Sequence, residues 1–383
     1  MKRRLLILTE IISPYRIPLF NTLAHDESVD LHVIFLAETD STLRQWRIYK
    51  EEIKFSYQVL PAWRMRWGGY NLLLNRGVAQ ALAAANPDVI LCGGYNYIAS
   101  WQALLWARAK KLSFLLWSES NLQDLRGGHA IVEFLKRRFL RMCTGFVVPG
   151  RSALEYLRAH RIEEARIVVA PNAVDNELFR ANAAIARTNA ASLRRELELP
   201  ERYFLFVGRL VSEKGAFDLL SAYAKLDASL REHVGLVFAG DGESRRLLER
   251  QAASIAPGVV RFAGFVQREE LAQYYALADA LVLPTYTDPW GLVVNEAMAC
   301  GLPVILSRAA GCASDLLRDD ETGLLIPPRN VEALARAMRL IAEQPEIRAS
   351  MGARAGQYIR SYSPEAWAKA VAGAFATTGS PHD

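Results

Sequence analysis

The sequence predicts an α/β protein built from two doubly wound parallel sheets in series. Three observations carry that expectation. Short apolar runs alternate with helix-period segments along the chain, and the alternation stops and restarts once. The 383 residues, 51% hydrophobic and 23% charged, suit two packed domains of roughly 100–200 residues each. Strands covered on both faces read as short continuous apolar runs, and the covering helices supply the second periodicity.

The first series of runs is Leu5–Thr9, Leu31–Leu36, Asp88–Leu91 leading into Gly93-Gly94, Phe114–Trp117, Phe146–Val148 and Ile167–Val169. Helix-period segments Leu72–Ala85 and Ile98–Lys111 lie between them. The second series begins at Tyr203–Val207 and continues through Val234–Ala239, Val259–Phe262, Ala280–Leu283 and Val304–Leu306. Pro171-Asn172-Ala173-Val174-Asp175, followed by a polar stretch, separates the two. Pro, Asn and Asp favour turns, so the domains are expected at 1–175 and 176–362. Helical patterns at Val331–Glu343 and Pro345–Arg360 close the second domain. Ser363 is a good N-cap with Pro364 in the first turn, which opens a terminal helix over 363–377. Ligands in such sheets bind outside the carboxyl ends of the strands, so two in series predict a cleft.

Bulk properties narrow the class. No apolar run approaches the ~20 residues that span a bilayer. The basic start MKRRLLILTE is interrupted by Glu10 and lacks a small-residue cleavage site, so it reads as a first buried strand. Cys92, Cys143, Cys300 and Cys312 form no metal spacing with one another or with histidine. They read as core residues of a chain in a reducing compartment, and the expected location is cytoplasmic. The net charge is +5, with the positive surplus in the first half. That suits an anionic acceptor, membrane surface or nucleic acid, or a mixed solvated surface.

Three segments carry candidate chemistry. Phe206-Val207-Gly208-Arg209-Leu210-Val211-Ser212-Glu213-Lys214-Gly215 ends a strand at Gly208 and starts a helix near Gly215. Arg209 offers a planar fork to phosphate oxygens and Lys214 a mobile point charge, beside the free N–H groups of a helix start. Ala239-Gly240-Asp241-Gly242-Glu243 lies one strand later. It lacks the third glycine of a dinucleotide fingerprint and taken alone is a plain turn. In Pro284–Ile305, Asp288 precedes a turn at Pro289 and Gly291, and Leu292–Cys300 reads as a short helix ended by Gly301. Asp288 and Glu296 could then flank a diphosphate at the helix start, or serve only as a dipole partner and a solvated helix residue.

As a set these segments resemble the retaining glycosyltransferases of family 4, which have the two-domain GT-B fold. Gly264-Phe265-Val266, the Pro171–Asp175 linker with Phe179, and Thr322-Gly323-Leu324-Leu325 extend the resemblance across nearly all of the second domain and more loosely the first. It implies an acceptor-binding first domain, with the terminal helix packed back on it, and a second domain that binds a nucleotide-sugar donor. Arg209 and Lys214 would bind the diphosphate and stabilise the leaving group without a metal or other cofactor. Gly208 and Gly240 would bring backbone close to the donor. Glu296 would accept the ribose hydroxyls and Asp288 would contact the transferred sugar. N–H groups of Gly291, Leu292 and Val293 would hold sugar and phosphate, and Phe265 and Val266 would line the base site. UDP-sugars are the first expected donors and GDP-sugars the next. The expected acceptor is a glycan, lipid-linked or small-molecule hydroxyl in cell-envelope polysaccharide or glycoconjugate synthesis.

The chain departs from the family pattern in three places. Asp288 stands where the family usually has Glu. The first-strand loop reads Glu10 to Pro18 without a Gly-Gly pair, so Arg16 either faces phosphate or acceptor or is structural. Many members place a histidine after the fourth strand, where this chain has Trp117-Ser118-Glu119-Ser120-Asn121. Glu119 could orient or deprotonate the acceptor hydroxyl, or satisfy loop N–H groups. His129 reads as a lone surface residue. Trp63-Arg64-Met65-Arg66-Trp67 and Lys136-Arg137-Arg138-Phe139-Leu140-Arg141 are candidates for peripheral contact with the inner face of a membrane, against loop packing and a solvated helix face. Nucleic acid is not an expected partner. A catalytically weak nucleotide-sugar sensor or scaffold, and another GT-B enzyme such as a nucleotide-sugar epimerase, are the alternative functions.

Overall fold

The computed structural model describes residues 2–40, 45–67, 70–122, 130–255 and 260–377. The chain forms two compact units. Met1–Ala173 joins Pro364–Asp383 in unit 1, and Val174–Ser363 forms unit 2.

Unit 1 contains strands β1 (Arg3–Thr9), β2 (Val29–Phe35), β3 (Ser56–Val59), β4 (Ala62–Trp67), β5 (Tyr70–Asn75), β6 (Val89–Cys92), β7 (Ser113–Trp117), β8 (Gly145–Val148) and β9 (Ile167–Val169). Its helices before residue 173 are α1 (Ile17–Ala24), α2 (Val78–Ala85), α3 (Ile98–Ala109), α4 (Ala130–Met142) and α5 (Arg151–Ala159). Seven strands form a parallel sheet in the order β3-β2-β1-β6-β7-β8-β9. Side chains on successive residues of a strand point to opposite faces. Leu6 and Leu8 of β1 enter one core and Leu5 and Ile7 the other, which is why the strand is apolar without alternation.

The helix expected from Leu72 begins later. Tyr70–Asn75 pairs antiparallel with Ala62–Trp67 as the hairpin β4–β5, and α2 starts only at Val78, after Gly77 at φ +77°. A short run such as Leu72-Leu73-Leu74 has no period of its own, and the neighbouring strand decides its conformation. Arg64 of β4 donates to Asp40 Oδ2 at 2.6 Å and lies 3.7 Å from Glu10 Oε1, so this cation tethers the hairpin to the sheet. The side chains of Arg66 and Trp67, and His129 entirely, lie outside the described residues.

Unit 2 contains β10 (Tyr203–Val207), β11 (Gly235–Ala239), β12 (Val260–Gly264), β13 (Ala280–Leu283), β14 (Val304–Ser307) and β15 (Gly323–Ile326). Val259, expected to open β12, is outside the described residues. The helices are α6 (Asn176–Thr188), α7 (Ala190–Glu196), α8 (Ala216–Ala224), α9 (Ala228–His233), α10 (Arg245–Ile255), α11 (Arg268–Leu277), α12 (Leu292–Ala299), α13 (Ala313–Leu316), α14 (Val331–Glu343) and α15 (Pro345–Tyr358). The sheet is parallel in the order β12-β11-β10-β13-β14-β15. Strand order therefore reverses between β10 and β13, and a ligand crevice opens at such a reversal.

The last helix, α16 (Pro364–Thr377), belongs to unit 1. Trp367 is fully buried. Its ring centroid lies 5.2 Å from that of Trp117 and 5.8 Å from that of Phe20. At the far end the Arg3 guanidinium sits 4.6 Å from the Phe375 ring. Among the described residues no helix is long and apolar enough to cross a membrane.

Candidate active site

The strand ends of unit 2 are laced together by backbone bonds. Gly208 N–H donates to Ala239 O at 3.0 Å, Gly240 N–H to Gly264 O at 2.6 Å, and Leu210 N–H to Asp241 O at 2.9 Å. The close approach requires glycine at one point above all. Gly240 has φ +149°, and a Cβ there would overlap the Gly208 carbonyl. The three loops thus form one floor above β10, β11 and β12. At its outer end Phe265 is exposed and Val266 is buried.

Two expected site residues meet at the strand-order reversal. Lys214, in the loop after β10, donates to Asp288 Oδ2 at 2.5 Å. The two side chains retain 15% and 14% exposure, so the pair is largely withdrawn from solvent. The loop that carries Lys214 is clamped to the loop after β13. Tyr286 N–H donates to Glu213 O at 2.8 Å, and the Thr285 hydroxyl lies 3.0 Å from the same oxygen. Gly215, at φ +72°, lets this loop press on the Pro284 carbonyl, which a Cβ would strike. Arg209 projects from the same turn and is exposed.

Asp288 is fixed from its other side. Its Oδ1 accepts from Trp290 N–H at 3.2 Å, and its carbonyl accepts from Gly311 N–H at 2.9 Å. The indole of Trp290 donates to buried Asn295 Oδ1 at 2.9 Å. Gly291, at φ +97°, turns the chain into α12. N–H groups of the first turn of a helix have no intrahelical partner, which leaves those of Gly291, Leu292 and Val293 pointing out at the end that favours anions.

Glu296 does not join the Lys214–Asp288 pair. It sits about 6 Å further along α12, partly buried, and its Oε2 accepts the Tyr275 hydroxyl at 2.7 Å. Burial pushes its carboxyl up to about 7, although the Tyr275 bond and the charge of Arg268 pull the other way. Tyr275 itself is held well above the usual phenol range by the same burial and by Glu296. No sequence motif marks Tyr275. Its role is visible only because α11 packs beside α12.

In unit 1, Arg16 and Glu119 come together although 103 positions separate them. Arg16 Nη1 donates to Thr9 Oγ1 at 2.6 Å and Nη2 approaches Glu119 Oε1 at 3.5 Å. The guanidinium carbon lies 4.5 Å from the Trp117 ring. Asn172 Nδ2 approaches the same Glu119 oxygen at 3.4 Å. These contacts bind the Arg16 cation between the strand ends of β1 and β7. Elsewhere, Lys136 turns back to Glu133 at 2.7 Å and away from the cationic run it was read with. Among the described residues no group of three His, Cys, Asp or Glu side chains is placed to hold a metal.

Two family models match the chain. The one described as Glycosyltransferase Family 4 matches residues 24–178, and the one described as Glycosyl transferases group 1 matches residues 190–358. The chain belongs to the family 4 glycosyltransferases. Among curated relatives, this glycosyltransferase is 32% identical over 252 residues to the D-inositol 3-phosphate glycosyltransferase of Streptomyces griseus, a match covering 61% of this chain and 53% of the relative. It is 34% identical over 184 residues to the glycogen synthase of Mycobacterium tuberculosis, covering 47% and 41%. The chain spans about half the length of the curated relatives it matches. Among solved structures it is similar to Anabaena HepE in complex with UDP and glucose, at TM-score 0.77 and 17% identity over 98% of this chain and all of that one. The sucrose-phosphate synthase of Thermosynechococcus elongatus matches at TM-score 0.71 and 21% identity, covering 98% of each chain. The fold of this glycosyltransferase is GT-B.

Proposed function

We propose that this glycosyltransferase moves a sugar from a nucleoside-diphosphate donor to an acceptor hydroxyl with retention of configuration, in unit 2 by electrostatics alone. The observation that carries the reading is the Lys214–Asp288 pair at the strand-order reversal, beside exposed Arg209 and the open start of α12. The donor diphosphate fits against Arg209, Lys214 and the first N–H groups of α12. As the bond from the sugar C1 to the diphosphate oxygen breaks, negative charge grows on the leaving group where those donors are already aimed. The acceptor oxygen bonds to C1 from the same face, and its proton passes to the leaving phosphate. Asp288 lies against the sugar, Glu296 accepts the ribose hydroxyls, and the exposed Phe265 ring stacks on the base above Val266.

A UDP-sugar is the first donor proposed and a GDP-sugar the second. The UDP of the HepE complexes supports that order only as a property of a similar fold. In unit 1, Glu119 accepts the acceptor hydroxyl, and the acceptor is a glycan, lipid-linked or small-molecule alcohol of cell-envelope or glycoconjugate synthesis. The test is a thermal-shift series with UDP-, GDP- and ADP-sugars, because a ligand that binds only the folded state raises its stability. One class should raise Tm in wild type and lose that effect in Lys214→Ala. Transfer from that donor should continue in chelator. Stabilisation that survives both Lys214→Ala and Arg209→Ala would refute the site, and loss of transfer in chelator would refute the metal-free mechanism.

A further inference from the structure

Helices α6, α7 and α11 of unit 2 enclose a cleft of about 390 Å³. That volume lies within the roughly 300–1,000 Å³ of small-molecule sites. None of its lining residues is assigned to sugar transfer. Asn182 of α6 and Gln273 of α11 line it from neighbouring helices. Both are half-buried, and among the described residues neither carboxamide makes a hydrogen bond. Asn189 differs, because its Nδ2 donates to Ile185 O at 3.1 Å within its own helix. From α7 the exposed Ser192 hydroxyl and Glu196 carboxylate join the lining, also without a hydrogen-bond partner among the described residues. Polar groups withdrawn from water are ordinarily paired. Several unpaired ones around one cleft are donors and acceptors held ready for a ligand.

From this cleft we infer that unit 2 carries a second carbohydrate site, which binds a neutral glycan away from the residues assigned to transfer. The chemistry of the lining selects that ligand. Carboxamides and a hydroxyl both donate and accept, as the hydroxyls of a sugar ring do. Ile185, 61% exposed, and half-buried Leu193 give the C–H face of such a ring an apolar strip. The charged lining residues are Glu196 and Glu269, and no lysine, arginine or histidine lines the cleft with them. Arg268 lies 3.5 Å from Glu269 Oε1, which leaves Glu196 as the uncompensated charge. A phosphate, a nucleotide or an acidic sugar is therefore repelled. Binding here would raise the local concentration of a glycan acceptor between transfers. That consequence rests on the glycan acceptor proposed above, whereas binding in the cleft does not.

The test is saturation-transfer NMR and calorimetry on the full chain, with maltotriose, cellotriose and α-mannotriose as neutral probes and glucose 1-phosphate as the charged competitor. At least one trisaccharide should bind, and glucose 1-phosphate should not displace it. Asn182→Ala and Gln273→Ala should each weaken that binding by about three- to tenfold. Ser192→Trp, which fills the cleft from an exposed position, should abolish it. All three variants should keep the wild-type Tm and the donor-induced thermal shift, and Glu119→Gln should bind the trisaccharide as wild type does. Binding that the three cleft variants retain would overturn the inference, and its loss in Glu119→Gln would then assign the glycan to unit 1. So would binding by none of the trisaccharides, or displacement of the bound one by glucose 1-phosphate. None of these results bears on the donor site, which Lys214→Ala tests separately.

Discussion

Glu296 should make this protein less stable as the solution becomes more basic, and Glu296→Gln should remove that dependence. The folded-state carboxyl is pushed up to about 7 from 4.5, with burial the main cause. Between those two values the folded chain keeps a proton that the unfolded chain has already released. Stability therefore falls as pH rises through this window and levels off above it. At 1.36 kcal/mol per unit, the displacement amounts to about 3 kcal/mol between the two limits. Gln keeps an oxygen for the Tyr275 hydroxyl and removes the charge, so the variant should lack this component while preserving the bond. Urea unfolding across the window measures it. The quantity of interest is the wild-type minus variant difference, which cancels the other titrating groups. It should shift against wild type by a few kcal/mol from the acid to the basic end. A flat difference would refute the reasoning, since Glu296 would then be solvated and its contact with Tyr275 incidental. If the ribose reading also holds, donor binding favours the ionised carboxylate. It should then weaken in wild type below about pH 7, with proton release detectable by calorimetry in buffers of different ionisation enthalpy.

Other perturbations test other links. Lys214→Ala should reduce turnover by on the order of a hundredfold or more, and should also cost on the order of 1–3 kcal/mol because Asp288 loses its cation in a largely buried setting. Steady-state rates and urea midpoints read the two effects separately. Gly240→Val should destabilise unit 2 and abolish donor-induced thermal shifts, since a Cβ at that position overlaps the Gly208 carbonyl. A folded, donor-responsive variant would show that the loops are not packed as described. Glu119→Gln should raise the acceptor KM with little effect on donor affinity, and Arg16→Ala should do the same more weakly. Equal loss of donor binding would show that the cluster acts on the donor instead.

Unit 2 was legible in the sequence because its functional loops follow directly from strand ends. Val207-Gly208 and Ala239-Gly240 mark where two parallel strands stop, and Gly291 and Gly301 bracket α12 as read. Asp288 and Glu296 fell on a loop and a helix as their neighbours suggested. Their partners were not readable. Tyr275 reaches Glu296 from α11 across 21 positions, and nothing local distinguishes it from Tyr274. In unit 1 six of the seven strands of the parallel sheet are legible, whereas the edge strand β3 and the hairpin are not, the hairpin because Leu72-Leu73-Leu74 fits either period and only β4 settles it. Arg16 and Glu119 lie too far apart in sequence for any motif to join them. The apolar face of α4 was hidden for another reason. Lys136 to Arg141 reads as a cationic run, yet the helix turns Lys136 inward and puts Ile131, Phe134 and Leu135 outside.

The short carboxylate at 288 changes how the proposed donor site can be used. At 2.5 Å from Lys214 it neutralises the cation that the diphosphate would need. Arg209, exposed on the same turn, is the cation open to an arriving phosphate. On the proposed reading Arg209 makes the first contact, and Lys214 is transferred from one anion to another as the sugar settles against Asp288. Two charged groups close together and largely out of water are stable only as a pair. The donor therefore has to supply a replacement for the lysine and a hydroxyl for the aspartate in the same step. A bare nucleoside diphosphate supplies only the first. On that reading the site discriminates for an intact nucleotide-sugar over its own product, and it does so through Asp288, one of the three places at which this chain departs from the family pattern.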